Sequence, residues 1–347
     1  MPVTTFGESV RRTEDPRLIT GRGKYVDDIR LPGLSHMTFV RSPYAHANIT
    51  SIDTTAAANA PGVIAIFTGA DLQEQLGGLP VGWLLPDLKQ PKHPPLAFET
   101  VRYVGDAVAV VVADTPYQAT DAAELVEVDY EILPAIVNAE KATKDGAPEL
   151  HAEAPNNIGF DFSVGGGDWD EAIKDPDVII VKEEIINQRL IPNSMEARGV
   201  VADFDPGREN LTLYTSTQIP HLVKMLYAMV TGTPEQKVRV IAPEVGGAFG
   251  SKLYLYAEEV VCGIVSKQLG RPVKWIEGRS EAYIATTHGR DHIGIAEMAG
   301  KKNGDIVGIK IELYANLGAY LSTFAPLIPT YFFGLMLGGV YKMPNIS

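Results

Sequence analysis

Ten residues constrain this chain most: Pro243-Glu244-Val245-Gly246-Gly247-Ala248-Phe249-Gly250-Ser251-Lys252. They stand between a β-branched run at 237–241 and a run of helical length at 257–269 that ends on Gly270, a natural C-cap. A strand that enters a helix through so many glycines must adopt backbone angles closed to other residues, with main-chain N–H groups free to approach a ligand. By itself such a run more often serves only as a tight strand-to-helix turn. It lacks the G-x-G-x-x-G spacing and following acid of a dinucleotide loop, and Ser251-Lys252 resembles a Walker A ending only superficially. A second segment, Thr215-Ser216-Thr217-Gln218-Ile219-Pro220-His221, precedes it, and the Gln218 amide can both donate and accept there.

Around this loop the chain reads as two units. In the first, strands are expected at 35–40, 62–67, 108–113 and 126–130, with a helix from about Pro116 to Leu125 opened by Asp114-Thr115. Residues 77–95 read as a Pro- and Gly-rich loop, and 138–157 as a linker. The second unit predicts strands at 178–187, 199–204, 211–215, 237–241, 273–276, 292–298 and 306–315, and helices at 221–230 and 257–269. The apolar stretch 323–340, broken by Pro326 and Pro329, predicts a buried segment or an interface strand. No fixed-period repeat is present. The fold class is α+β.

Composition excludes several functions. A net charge of −13 leaves no basic stripe for nucleic acid. Cys262 is the single cysteine, so no disulfide framework or Cys-rich zinc or iron–sulfur site is expected, and its apolar setting predicts a buried structural thiol. The N-terminus shows no secretion-signal pattern, and no uninterrupted apolar run reaches the length of a membrane span. A cytoplasmic location is expected. His288 and His292 are four apart but interrupted by Gly289 and Asp291, and with His221 they read as structural histidines. Arg279, Glu281 and Arg290 read as one ion-pair network, and Glu196 with Arg198 as ties between strands. Reading residue by residue stops at an α+β protein with a glycine loop that is a candidate for anion binding.

Taken jointly, more segments become specific. These are Arg12-Thr13-Glu14-Asp15-Pro16-Arg17, Gly21-Arg22-Gly23-Lys24-Tyr25, Arg41-Ser42-Pro43-Tyr44-Ala45-His46, Val104-Gly105-Asp106-Ala107 and Met195-Glu196-Ala197-Arg198. Trp275-Ile276-Glu277-Gly278-Arg279 and Thr286-Thr287-His288-Gly289-Arg290 join them. With the Gln218 and Phe249 segments, they resemble in order the N-terminal half of the molybdenum-binding large subunit of the xanthine dehydrogenase and aldehyde oxidase family. The carbon monoxide dehydrogenase-like branch is nearest.

The resemblance implies an N-terminal extension (1–18), an α/β hammerhead domain (19–134), a linker (135–157) and the first of two molybdopterin-binding domains (158–347). That last domain is expected to be incomplete without a C-terminal half. It implies a molybdenum–molybdopterin cofactor, expected in the cytosine dinucleotide form. The implied loop formers and cofactor-binding residues are Gln218, Gly247, Phe249 and Gly250. Gln218 and the Phe249 backbone are expected to contact the oxygen ligands of molybdenum. The catalytic base is expected outside this chain, so no catalytic residue is assigned here. Purine-oxidising members carry a glutamate after the loop lysine; here that position is Leu253, an apolar substrate-pocket residue suited to CO, an aldehyde or an N-heterocycle. Expected partners are the C-terminal half, an FAD-binding medium subunit, a 2Fe-2S small subunit and a small-molecule substrate. Two other readings stand beside this one: a non-catalytic scaffold that keeps the fold, and a magnesium-dependent nucleotide binder using residues 246–252.

Overall fold

The computed structural model describes residues 6–347; residues 1–5 of the expected N-terminal extension lie outside the described ones. The first unit holds strands β1 (Ser35–Arg41), β2 (Ala47–Asp53), β3 (Val63–Thr68), β4 (Thr100–Val101), β5 (Ala107–Ala113) and β6 (Glu127–Ile132). The second holds β7 (Val178–Asn187), β8 (Gly199–Asp205), β9 (Asn210–Thr215), β10 (Val238–Ile241), β11 (Val273–Ile276), β12 (His292–Lys301), β13 (Ile306–Ala315) and β14 (Asn345–Ile346).

One seven-stranded sheet, in the order β10-β9-β8-β11-β1-β5-β3, runs through both units. The junction is the parallel pair β1–β11, where Ser35 lies opposite Val273 and His36 opposite Lys274. β5 is buried at every residue because both its faces are covered. Val110 and Val112 point into the main core with Val223, Val260 and Trp275, while Val111 packs with Ala122 of the helix Pro116–Ala123. Each such valine contributes about 1.5–3 kcal/mol of burial. Two smaller sheets complete the fold, β4-β2-β6 and β14-β13-β12-β7.

Two helices back the glycine loop, Pro220–Thr231 and Ala257–Leu269. The second starts where the Tyr256 N–H donates to Glu259 Oε2 (3.0 Å) and stops at Gly270 in the left-handed conformation. Gly263 lies where the two helices cross, since a Cβ there would overlap the Tyr227 hydroxyl. Cys262 is buried, and burial pushes its thiol up to about 12, in line with a structural role.

Three local expectations are corrected. Residues 323–340 form no strand and are buried only in their first half, at Thr323, Pro326, Pro329 and Thr330. They coil through a π-helical turn (Ile328–Phe332) into the helix Phe333–Met336 and leave Phe332, Leu335, Met336 and Val340 exposed. Prolines 326 and 329 deny the stretch a ladder of N–H donors. Glu281 pairs with Arg41 of β1 rather than with Arg279 or Arg290. His221 is exposed, whereas the His288 ring is held at 3.1 Å from the Tyr283 carbonyl. Among the described residues, no helix is long and apolar enough to cross a membrane.

Candidate functional site

The glycine loop follows β10 and is shaped by three left-handed residues: Gly247 (φ +94°), Phe249 (φ +52°) and Gly250 (φ +90°). A glycine accepts that conformation freely; a phenylalanine adopts it at a cost of about 1–2 kcal/mol. The geometry leaves a row of amides without a protein partner. Among the described residues, the N–H groups of Gly247, Ala248, Phe249 and Gly250 donate to no protein acceptor. Successive unpaired amides are the donor set that suits anionic oxygen. Phe249 itself is 76% exposed.

Glu196 and Lys252 fix the loop at both ends. Glu196 Oε2 accepts from the Gly246 N–H (2.7 Å), from Ser216 Oγ (2.7 Å) and from Lys252 Nζ (3.1 Å). Lys252 Nζ also donates to the Glu196 carbonyl (2.9 Å), and the Glu196 N–H donates to the Gly246 carbonyl (3.0 Å). The Lys252 side chain is buried. Burial lowers its pKa, and the Glu196 carboxylate opposes that fall.

Gln218 hangs from the far end of this clamp. Its N–H donates to the Lys252 carbonyl (2.9 Å), which also accepts from Thr217 Oγ1 (3.3 Å). The Gln218 side chain is exposed and makes no hydrogen bond to the described residues. The structure therefore brings the Gln218 segment and the 247–250 amides to one place. Leu253 follows directly, half-buried, with its N–H on the Gly250 carbonyl (3.3 Å).

Residue-by-residue reading missed the loop role of Glu196 and Ser216. A lysine directly after a glycine loop must find a counter-charge if buried, and that was the available signal. A cavity of about 290 Å³ opens along the same segment, lined by Met195, Glu196, Arg198, Glu277 and Arg279 among others. Among the described residues, no group of three or more His, Cys, Asp or Glu side chains could hold a metal ion directly.

Unpaired amides near an exposed side-chain amide suit a ligand held by hydrogen bonding. The match to known proteins makes this more specific. The family model for the molybdopterin cofactor-binding domain matches residues 150–347, and that for the aldehyde oxidase and xanthine dehydrogenase a/b hammerhead domain matches 20–134. The chain belongs to this aldehyde oxidase and xanthine dehydrogenase family of molybdopterin-binding large subunits.

It is 38% identical to the nicotine 6-hydroxylase large subunit of Paenarthrobacter nicotinovorans, over 92% of this chain and 39% of that protein. It is 36% identical to the carbon monoxide dehydrogenase large chain of Afipia carboxidovorans, over 96% and 42% respectively. The crystal structure of quinoline 2-oxidoreductase from Pseudomonas putida 86 superposes with a TM-score of 0.89 at 34% identity, covering 99% of this chain and 44% of that one. The chain thus spans about two fifths of the length of these relatives.

The residues present fit such a cofactor. The amide row suits oxygen-rich groups. Ser194 Oγ and Glu196 Oε1, both beside the loop, are buried without a partner. At Gly247 an added Cβ would lie 3.3 Å from both the Ser194 Cβ and the Phe249 ring, so the backbone there is kept bare.

Proposed function

We propose that this chain is the cofactor-facing part of the large subunit of a molybdenum hydroxylase that oxidises CO, an aldehyde or an N-heterocycle. When bound, the molybdenum–pterin group supplies Lewis acidity and accepts two electrons. This chain's residues supply oriented donors. The Gln218 amide and the Phe249 and Gly250 N–H groups would hold the oxygen-rich face of the group by hydrogen bonds, stabilising negative charge without ligating the metal. Gly247 shapes their approach. Leu253 forms an apolar wall that offers a purine no hydrogen-bonding partner.

The catalytic base is assigned to the three fifths of the relatives' length that this chain does not span, as is most of the grip on a cytosine dinucleotide. FAD and 2Fe-2S subunits would carry electrons away, in the cytoplasm. One observation supports this reading above the rest: the unpaired amide row and the unpaired Gln218 amide hang from one buried clamp.

The test is the assembled complex purified from its host. Stoichiometric molybdenum and CMP released on acid hydrolysis are expected, together with co-purifying flavin and iron–sulfur subunits. Gln218→Ala is expected to lower kcat roughly tenfold to a hundredfold with an unchanged melting temperature. A metal-free complex would overturn the assignment in favour of a scaffold. Wild-type turnover in the variant would remove Gln218 from the site.

A further inference from the structure

We infer that Glu196 is the positioning residue of the cofactor loop, a single carboxylate that sets where the Gln218 amide stands relative to the 247–250 amide row. The inference rests on the cofactor reading above and adds a residue to it. Two segments distant from Glu196 in sequence converge on its Oε2: the loop, at its start through Gly246 and at its end through Lys252, and the Gln218 segment through Ser216. Gln218 then takes its place from the Lys252 carbonyl.

Two further features show that the clamp is built to one geometry. A Cβ on Gly246 would lie 2.5 Å from the Glu196 Cβ, so only glycine allows the loop to come this near. Arg279 holds the segment carrying Glu196 by donating to the Ser194 carbonyl (2.6 Å), the Met195 carbonyl (3.0 Å) and Asn193 Oδ1. A positioning group that is itself held rigidly transmits its geometry to what it touches. The bonds it makes are also charge-assisted, the stronger kind.

Glu196→Gln keeps the shape and one carbonyl acceptor but removes the charge opposite Lys252. In the assembled complex we expect kcat to fall roughly tenfold to a hundredfold, with little change in KM and molybdenum retained. The paramagnetic resonance spectrum of the one-electron-reduced molybdenum should shift, which a merely structural ion pair would not cause. Glu196→Gln combined with Gln218→Ala should lose little more than the worse single variant, because both act through one amide.

Multiplying losses with a wild-type spectrum would overturn the inference, as would unchanged turnover. Should Glu196→Gln fail to fold, Ser216→Ala decides, since it leaves the Lys252 pair intact. A displaced spectrum with a smaller kcat loss supports the inference, and a wild-type spectrum overturns it. Wild-type complex without molybdenum would instead remove the cofactor reading on which this one stands.

Discussion

Glu196 and Arg198 lie two residues apart, and each enters a buried ion-pair network, yet the two networks differ in one respect. Every guanidinium nitrogen of Arg198 has a partner. Its guanidinium donates to Glu258 Oε2 (2.9 Å), to Glu277 Oε1 (2.6 Å) and to Thr286 Oγ1 (2.9 Å), and it lies 3.8 Å from the centre of the Tyr256 ring. Arg41 of β1 closes the network on Glu258 and Glu281 (both 2.7 Å), joining the two units. Glu196 is not saturated. Its Oε1 is buried without a partner, and the loop it holds presents four unpaired amides. Completeness marks a network that holds the fold together. An unfilled edge marks one that faces a ligand.

The largest way to break this contrast is Arg198→Met. It leaves Glu258 and Glu277 buried without their shared cation, so a loss of about 3–5 kcal/mol is expected in denaturant unfolding. Gln218→Ala should leave stability untouched and cost turnover instead. If Arg198→Met destabilised by less than about 1 kcal/mol, solvent or relaxation would be replacing the arginine, and the Arg198 network would not be structural.

How far the sequence disclosed this contrast follows from what each part depends on. The helix Ala257–Leu269 was readable to the residue, since Gly270 and an apolar run are local signals. So were β11 and β13. β2 was missed because Asn48, Thr50, Ser51 and Asp53 give it no apolar alternation. The β1–β11 junction was invisible for another reason: parallel pairing between strands more than 200 residues apart leaves no local trace. The site divided in the same way. Gln218 and the glycines stand out as types in a pattern. Glu196 gains its role from contacts 20, 50 and 56 residues away, so its sequence context suggests only a strand tie.

Titration sharpens the contrast at intermediate size. Burial pushes Glu258 up, but Arg198 and Arg41 outweigh it and hold its carboxyl at about 2. A depressed carboxylate stabilises above its unfolded value near 4.3, and that stability is lost as pH falls toward 2. Glu259 and Asp106 behave oppositely. Burial drives both up to about 7, against hydrogen bonds from Thr215 and from the Arg102 N–H respectively. Between about pH 4 and 7 the folded state therefore keeps protons that the unfolded state has lost, and stability declines as pH rises. Glu259→Gln should flatten the fall in melting temperature between pH 5 and pH 8. An unchanged slope would mean that Glu259 ionises normally in the fold.

The smallest effect tests which atoms of the loop matter. Phe249 is mostly exposed and sits at positive φ, so its ring adds little packing while its backbone bears the strain. Phe249→Gly removes that strain and returns a similar amount of chain entropy to the unfolded state. The net stability change should stay within about 1 kcal/mol. If the site uses the Phe249 N–H, which the variant retains, turnover should stay within roughly threefold of wild type. A tenfold or greater loss with unchanged stability would show that the ring itself packs against substrate or cofactor. The loop would then act through a side chain as well as through its amides, as the Glu196 clamp already does.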